Sequence, residues 1–144
     1  MSAVDLSPFV LFEGTCAEAM SFYQSCLGGV LEVTLLRDTP MRDQAPAGPH
    51  DKVAYARLAS GSIEISATDW QHQTRVPRPG NTVGLYLTGG TYEELKQVFD
   101  KLAEGADPDL LDELRDVPFG CYGHLADRYG VHWFFRGEAS TSPS

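Results

Sequence analysis

Cysteine, basic residues and long apolar runs are all scarce in this chain. Its cysteines, Cys16, Cys26 and Cys121, are odd in number and lack the Cys-x-x-Cys spacing of zinc or redox motifs. They therefore predict neither a disulfide framework nor a structural metal site. With 11 basic against 20 acidic residues and a net charge of -9, the chain has the wrong sign of charge for phosphate backbones, so we predict no nucleic-acid partner.

Two further absences narrow the function classes. No run of about 18 apolar residues occurs and the first residues carry no signal pattern, so we expect no membrane association and a cytoplasmic location. A glycine-rich strand-turn-helix that could cradle a nucleotide-like cofactor is also missing, so we expect no such cofactor and no methyltransferase chemistry. Phosphonate chemistry likewise has no support from any residue.

The length and composition are typical of one globular domain. A chain of 144 residues with 42% hydrophobic content can bury one core and is too short for two independent ones. We therefore predict a single domain over 1–144. Within it we distinguish a first module over about 6–70, a linker over about 71–80, a second module over about 81–137 and a frayed tail over 138–144.

The first module has the pattern of a strand, a helix and further strands. Thr15 and Glu18 are spaced as a capping box at the start of the helix, and Gly28 ends it. Strict alternation on both sides of Ser60-Gly61 predicts a hairpin with one apolar and one polar face. The predicted segments are a strand over 8–12, a helix over 15–27, a strand over 30–37, a loop over 38–49, and strands over 53–59 and 62–68.

The second module repeats this order with almost no residue identity. Thr91 and Glu94 form a second capping-box pattern, and an apolar stripe continues the helix. Cys121 lies in a glycine-flanked stretch over 119–123, where we predict a turn; a partly buried loop thiol is the plain interpretation and a reactive thiol is the alternative. The predicted segments are strands over 83–87, 122–126 and 131–136, a helix over 91–104, and a segment over 107–117 that fits either a strand or a short helix.

Two modules of this kind predict an α+β fold with two curved mixed sheets around a central groove and the helices outside. The polar alternate positions of the strands, Tyr55, Arg57, Glu64, Ser66 and Tyr86, would then line the groove. A groove of this kind indicates a small-molecule ligand.

Both ends of the chain carry the residues of a known pattern. The opening Pro8-Phe9-Val10-Leu11-Phe12-Glu13-Gly14, with Phe22-Tyr23 and Leu27-Gly28-Gly29, and the closing Asp127-Arg128-Tyr129-Gly130-Val131-His132-Trp133 resemble PhnB-like proteins of the glyoxalase/bleomycin-resistance (vicinal oxygen chelate) superfamily. The resemblance implies paired βαβββ modules, commonly in a homodimer, around a cavity. In metal-dependent relatives four inward-facing side chains hold a divalent ion there.

The same resemblance places those four ligand positions on Pro8, Glu64, Gly84 and Phe134. Only Glu64 carries a donor, whereas such an ion needs about three protein ligands with oxygen or nitrogen donors. Tyr55 stands where members often have a histidine, which removes another donor. We therefore predict that the metal site is lost.

Two functions remain open. The first is a metal-independent binding protein that holds a small organic molecule with Tyr55, Arg57, Glu64, Ser66, Tyr86, Phe134 and His132, while Trp133 belongs to the core. The second is an enzyme of glyoxalase, lyase or isomerase type. There Glu64 would act as general base and Arg57 would stabilise an oxyanion, although the plainer interpretation is an Arg57–Glu64 pair across the hairpin.

The four histidines complete the candidate set. His50 and His72 lie in predicted loops, and His124 and His132 lie in the last hairpin, where one could face the groove. An unusual metal site of Glu64, His124 and His132 is a further alternative. Ordinary polar positions on half-buried strands are the plainer interpretation.

Overall fold

The computed structural model describes residues 4–39, 52–70 and 74–140, and these form eight strands and two α-helices. In chain order they are β1 (Phe9–Phe12), α1 (Cys16–Leu27), β2 (Val30–Leu35), β3 (Val53–Ser60), β4 (Ile63–Asp69), β5 (Leu85–Thr88), α2 (Tyr92–Leu102), β6 (Leu111–Val117), β7 (Gly120–Ala126) and β8 (His132–Gly137). None of the helices in the described part of the chain is long and apolar enough to span a membrane.

The chain divides into two compact units, Met1–Arg78 and Pro79–Ser144, and each contains one sheet and one helix. The sheet of the first unit has the order β1-β4-β3-β2, and the sheet of the second has the equivalent order β5-β8-β7-β6. In both, the first strand pairs in parallel with the last and the other pairs are antiparallel. The predicted α+β architecture of two βαβββ modules is confirmed, and the central groove stays a prediction.

In the first unit, α1 covers one face of the sheet because both of its ends are bonded to that face. The Asp69 carboxylate accepts hydrogen bonds from the backbone N–H groups of Gly14 at 2.8 Å and Cys16 at 3.0 Å. The Ser60 hydroxyl donates to the carbonyl of Leu27 at 2.9 Å. Because side chains alternate along a strand, the buried core residues Ala56, Leu58, Ile65 and Ala67 share this face with Ser60 and Asp69.

In the second unit, α2 packs on the sheet through Phe99. Its ring lies 5.0 Å, centroid to centroid, from the ring of Phe135 in an edge-on arrangement. Gly123 lies against the same ring, since a Cβ there would come within 3.2 Å of Phe99. Trp133 is buried as predicted, and its indole N–H donates to the Asp127 carboxylate at 2.8 Å.

Several predicted boundaries need correction. The ambiguous segment over 107–117 contains both structures: a 3-10 turn at Pro108–Leu110 leads directly into β6. The turn predicted over 119–123 is shorter, since β7 begins at Gly120. Cys121 is therefore a fully buried strand residue, not a loop residue. His50, His72 and residues 40–49 of the predicted loop lie outside the described residues.

Candidate functional site

The first unit has a polar sheet face opposite α1. It carries Tyr55, Arg57, Glu64 and Ser66, which alternate with the core residues of β3 and β4. Tyr55 is 44% exposed, and its hydroxyl lies 3.2 Å from the hydroxyl of Ser66, which is buried. The predicted alternation of these strands is therefore confirmed, and four of the predicted ligand-binding residues share one surface.

Arg57 is the charged centre of this face. Its guanidinium donates to the carboxylate of Glu64 at 3.0 Å and to that of Glu32 at 3.5 Å, so one cation connects three strands. The hydrogen bond with Glu64 is the main cause that raises the pKa of Arg57. All three side chains are considerably exposed, so this network contributes little to stability. The Glu64 carboxylate is thus engaged in a cross-strand ion pair.

The second unit has a corresponding face opposite α2. Tyr86 of β5 pairs with Phe134 of β8, which in turn pairs with His124 of β7. The rings of Phe134 and His124 stack with centroids 4.6 Å apart, and Tyr86 is 57% exposed. His132 lies two residues before Phe134 on the same strand and therefore on the same face. The remaining three predicted ligand-binding residues, Tyr86, Phe134 and His132, thus share a surface of the second unit.

A chain of hydrogen bonds crosses three strands of this face. The Oδ2 atom of Asp112 lies 3.3 Å from Nδ1 of His124, and Nε2 of His124 lies 2.8 Å from Nδ1 of His132. The exposed fraction falls from one end of this hydrogen-bond chain to the other. It is 62% for the Asp112 side chain, 14% for the His124 side chain and 8% for the residue His132. The chain therefore begins at an exposed carboxylate and ends at a buried imidazole.

His132 also lines a pocket of the second unit. The pocket has a volume of about 380 Å³ and is lined by Pro79, Gly80, Asn81, Leu110, Ala126, Gly130 and His132. This volume lies in the range of small-molecule sites, roughly 300–1,000 Å³. Most of the lining residues are apolar, and Asn81 and His132 are the lining residues that have polar side chains. An apolar pocket with few polar groups is the usual form of an organic ligand site.

The four positions at which a metal ion would be held do not fit one. Proline, glycine and phenylalanine have no donor side chains, and the Pro8 carbonyl accepts a hydrogen bond from the Ser66 N–H at 3.1 Å. A Cβ on Gly84 would lie 2.3 Å from the Phe134 ring, so that ring fills the space in which a ligand side chain at 84 would begin. In the described ranges, no group of three or more His, Cys, Asp or Glu side chains is arranged to hold a metal ion.

The alternative metal site of Glu64, His124 and His132 gains no support from the structure. The two imidazoles bond directly to each other, which occupies one nitrogen of each ring. The second ring nitrogen of His124 faces Asp112, and Glu64 is paired with Arg57. Three of the four nitrogens are therefore accounted for in hydrogen bonds.

Comparison with known proteins now gives the family. The family model described as 3-demethylubiquinone-9 3-methyltransferase matches residues 4–135, which is most of the chain. The chain belongs to this PhnB-like family. The predicted resemblance is confirmed, and the name of the family assigns no reaction to this chain.

Three similar proteins match nearly the whole chain. Protein YjdN of Escherichia coli is 28% identical over 137 residues, which are 89% of this chain and 91% of that protein. The crystal structure of protein PA1353 from Pseudomonas aeruginosa is 30% identical, covers 96% of this chain and 100% of that one, and has a TM-score of 0.80. The PhnB protein from Bacillus cereus is 27% identical with a TM-score of 0.70, and the match covers 93% of this chain and 99% of that one.

More distant structures share the fold of this chain. A glyoxalase/bleomycin-resistance/dioxygenase domain from Frankia is 16% identical with a TM-score of 0.60, and the match covers 98% of this chain and 96% of that one. At this identity the match shows the fold alone. The predicted glyoxalase/bleomycin-resistance-like fold is therefore confirmed.

Asp112 is a site residue that the sequence did not reveal, as are the residues that line the pocket beside His132. It lies in the segment that fits a strand or a helix equally well, so no face could be assigned to it. The pairing of β6 with β7 is moreover irregular between Asp112 and Arg115. Only the paired register of β6 and β7, with Asp112 directly opposite His124, brings the carboxylate to the histidines.

Proposed function

We propose that this PhnB-like protein binds a small organic molecule and does so without a protein-bound metal ion. The observation that carries the proposal is the apolar pocket of about 380 Å³ with the buried His132 in its wall. A buried polar side chain in a mostly apolar pocket is a group that orients and selects a ligand. Pro8, Gly84 and Phe134 have no side chain that could donate an electron pair to a metal ion, and this supports ligand binding without a metal ion.

Aromatic and polar residues on the helix-free faces supply further contact surface. In the second unit, Tyr86 and Phe134 offer rings for stacking beside the histidines. In the first unit, Tyr55, Arg57 and Ser66 offer hydrogen bonds, with Glu64 holding the guanidinium in place. We assign a ligand-contact role to both sets, each on its own sheet.

Small-molecule binding also agrees with what the fold does elsewhere. The bleomycin-binding protein of Streptomyces verticillus, known in complex with copper(II)-bleomycin, is 14% identical with a TM-score of 0.54. That likeness concerns the fold, and it supports the class of function without indicating the ligand. Binding of a small molecule is therefore a function that a protein of this fold performs.

The alternative of an enzyme with Glu64 as general base has weaker support. The Glu64 carboxylate accepts from Arg57 at 3.0 Å and is 45% exposed, which is the arrangement of an ordinary cross-strand ion pair on an open strand surface. We therefore expect Glu64→Gln to leave ligand binding in the second unit unchanged.

A ligand screen tests the proposal. We expect members of a set of small aromatic and carbonyl-containing metabolites to raise the thermal unfolding temperature of the protein in the presence of EDTA. For any such compound, Leu110→Ala removes apolar contact from the pocket wall and should weaken binding about tenfold. Leu6→Ala, which truncates a 99% exposed leucine outside the pocket, is the matched control. A screen in which no compound raises the unfolding temperature contradicts the proposal.

A further inference from the structure

We propose that Asp112, His124 and His132 form a proton relay ending at the pocket, and that the pocket takes a neutral weak acid of the phenol or enol class. This inference rests on the binding function proposed above and adds the chemical class of the ligand. The relay and the binding site are tested separately below. Each can therefore fail without the other.

The carboxylate of Asp112 determines where the protons of both imidazoles lie. A carboxylate accepts hydrogen bonds only, so Nδ1 of His124 carries the proton that faces Asp112. Nε2 of the neutral His124 ring is then a lone pair and accepts from Nδ1–H of His132 at 2.8 Å. Consequently Nε2 of His132 is left without a proton. Through this hydrogen-bond chain, the exposed Asp112 carboxylate leaves Nε2 of the buried His132 ring as a proton acceptor.

A bulge in β6 turns the Asp112 side chain toward His124. Residues two apart on a regular strand point to the same face. Here Asp112 faces His124 on the open side, whereas Leu114 is buried beside Phe99 on the α2 side, next to Gly123. The register shift between Asp112 and Arg115 therefore reverses the alternation. Bulges that re-aim a side chain are over-represented beside functional sites.

The acceptor nitrogen of His132 has no hydrogen-bond partner among the described residues. Its Nδ1 atom is engaged with His124, and His132 is a buried residue with 8% of its surface exposed. A buried polar atom without a partner costs free energy, commonly offset by a ligand or water. Because His132 lines the pocket, a ligand hydroxyl there is the group that would satisfy Nε2.

The surroundings select a neutral acid over an anion. Among the described residues that line the pocket, His132 is the sole titratable group and none is a lysine or arginine. The hydrogen-bond chain that begins at His132 ends at the Asp112 carboxylate, whose negative charge repels anions. A carboxylic acid that arrives ionised therefore finds neither a fixed cation nor a donor at Nε2. A phenol or enol arrives protonated and donates its O–H.

Proton transfer along the chain balances without any other reactant. The O–H bond of the ligand breaks, its electron pair stays on oxygen, and a new N–H bond forms at Nε2 of His132. The resulting imidazolium donates to the ligand oxygen through Nε2–H and to His124 through Nδ1–H. Transfer of the Nδ1 proton to Nε2 of His124 would place the positive charge beside Asp112, where it is stabilised.

The other titratable groups on this face lie beyond the relay. Tyr86 stands on the far side of Phe134, and Tyr122 stands two residues before His124. The guanidinium of Arg115 lies over the Tyr122 ring at 5.8 Å, and that of Arg136 lies over the Phe119 ring at 4.4 Å. In the described part of the chain, no hydrogen bond, ion pair or ring contact joins any of these four residues to the two imidazoles. Asp112 and His124 are therefore the groups that position the proton on His132.

The tautomer of His132 tests the relay without any ligand. In protein with nitrogen-15 histidine, two-bond correlations should show both His124 and His132 as the Nδ1–H tautomer. In Asp112→Asn the amide can donate to Nδ1 of His124, which should move the proton of His132 to Nε2. Glu113→Gln makes the same charge change at the adjacent exposed residue and should leave both tautomers unchanged. An Nε2–H tautomer of His132 in the unaltered protein overturns the relay.

The class of ligand is tested with 4-nitrophenol and benzoate, which are similar in size. We expect 4-nitrophenol to bind at least tenfold more tightly than benzoate at about pH 6.5, where most of the 4-nitrophenol is neutral and the benzoate is ionised, with a shift of its absorbance toward that of the phenolate. His132→Gln and Asp112→Asn should each weaken its binding about tenfold and abolish that shift, while Glu113→Gln should do neither. Because Asp112 is exposed, its variant separates loss of the relay from loss of folding.

Each result has one meaning. Equal binding of 4-nitrophenol and benzoate, or no binding of 4-nitrophenol, overturns the weak-acid class even if other compounds bind in the screen. Retained 4-nitrophenol binding and absorbance shift in Asp112→Asn overturns the relay. Failure of every compound in the screen contradicts the binding function, and the tautomers still decide whether the relay exists.

Discussion

Single buried carboxylates organise the backbone in each unit. Asp69 is 2% exposed and accepts from the backbone N–H groups of Gly14, Cys16 and, at 2.8 Å, Val53. Asp127 accepts from the N–H groups of Tyr129 and Val131 in addition to the Trp133 indole. A carboxylate suits these places because it accepts several hydrogen bonds and donates none.

Replacement of Asp69 should therefore be costly. In Asp69→Asn one oxygen becomes an NH₂ group that faces backbone donors, so at least one buried N–H loses its acceptor. We expect the free energy of unfolding in urea to fall by about 1.5–3 kcal/mol, on the scale of hydrogen bonds to charged groups. Asp38→Asn, at an exposed position, should change it by less than about 0.5 kcal/mol. Equal effects of the two substitutions would contradict the role of Asp69.

Cys16 should make stability sensitive to alkaline pH. Burial, with a contribution from Asp69, raises the pKa of the Cys16 thiol from 9.0 to about 12. The unfolded thiol ionises above about pH 9 whereas the folded one stays neutral, so this stability is complete below pH 9 and is lost as the pH rises toward 12. Between pH 8 and pH 10 the urea midpoint of the native protein should fall relative to that of Cys16→Ala. If the urea midpoints of the two proteins changed equally between pH 8 and pH 10, ionisation of Cys16 would not contribute to the pH dependence of stability.

At the scale of residues, the sequence predicted which side chains are buried better than it predicted which polar groups form hydrogen bonds with each other. Alternation placed Tyr55 and Arg57 on the polar face and Trp133 in the core, because burial follows directly from strand period. The alternative of a reactive Cys121 is weakened, since burial is also the main cause that raises the pKa of this thiol. The hydrogen bonds that Asp69 accepts from Gly14 and Val53 join residues 55 and 16 positions apart in the sequence. No local sequence pattern predicts such bonds.

At the scale of elements, the two helices begin in different ways. At α2, the Thr91 hydroxyl accepts from the Glu94 N–H at 3.1 Å and the Glu94 carboxylate accepts from the Thr91 N–H at 2.9 Å, so the predicted capping box is confirmed. At α1, Thr15 makes no side-chain capping hydrogen bond, and the capping box predicted there is wrong. Asp69 takes the first N–H of that helix from a distant strand instead.

This difference predicts unequal effects of two similar substitutions. Thr91→Ala should lower the free energy of unfolding by about 1 kcal/mol, as loss of a helix N-cap does. Thr15→Ala should change it by a few tenths of a kcal/mol, because no capping bond is lost. Urea unfolding of the two variants at neutral pH makes the comparison. A larger loss for Thr15→Ala would mean that α1 is capped locally after all.

Elements with strong local signals were predicted closely. The hairpin expected over 53–59 and 62–68 is β3 and β4, and the helix expected from Thr15 to Gly28 is α1. β6 was ambiguous because Asp112, Glu113, Arg115 and Asp116 interrupt its apolar pattern. Its pairing with β7 decides the structure, and pairing between strands is not a local property.

At the scale of the molecule, two units with the same strand order and little residue identity carry different chemistry on their open faces. The first has an arginine between two carboxylates, and the second has two histidines and a pocket. Fold and family could be predicted from the order of segments and the motifs at the chain ends. The pocket and the relay could not, because they depend on loop placement and on the bulge. The homodimer and the cytoplasmic location stay predictions.

Metal content is the measurement that tests the central claim most directly. The protein should be purified without chelator, analysed for metals by mass spectrometry, and melted with and without Mn²⁺, Ni²⁺ or Zn²⁺. We predict far less than one divalent ion per chain, no change in unfolding temperature, and ligand binding that survives EDTA. About one ion per chain that raises the unfolding temperature and is lost in Glu64→Gln would contradict a metal-independent binding site.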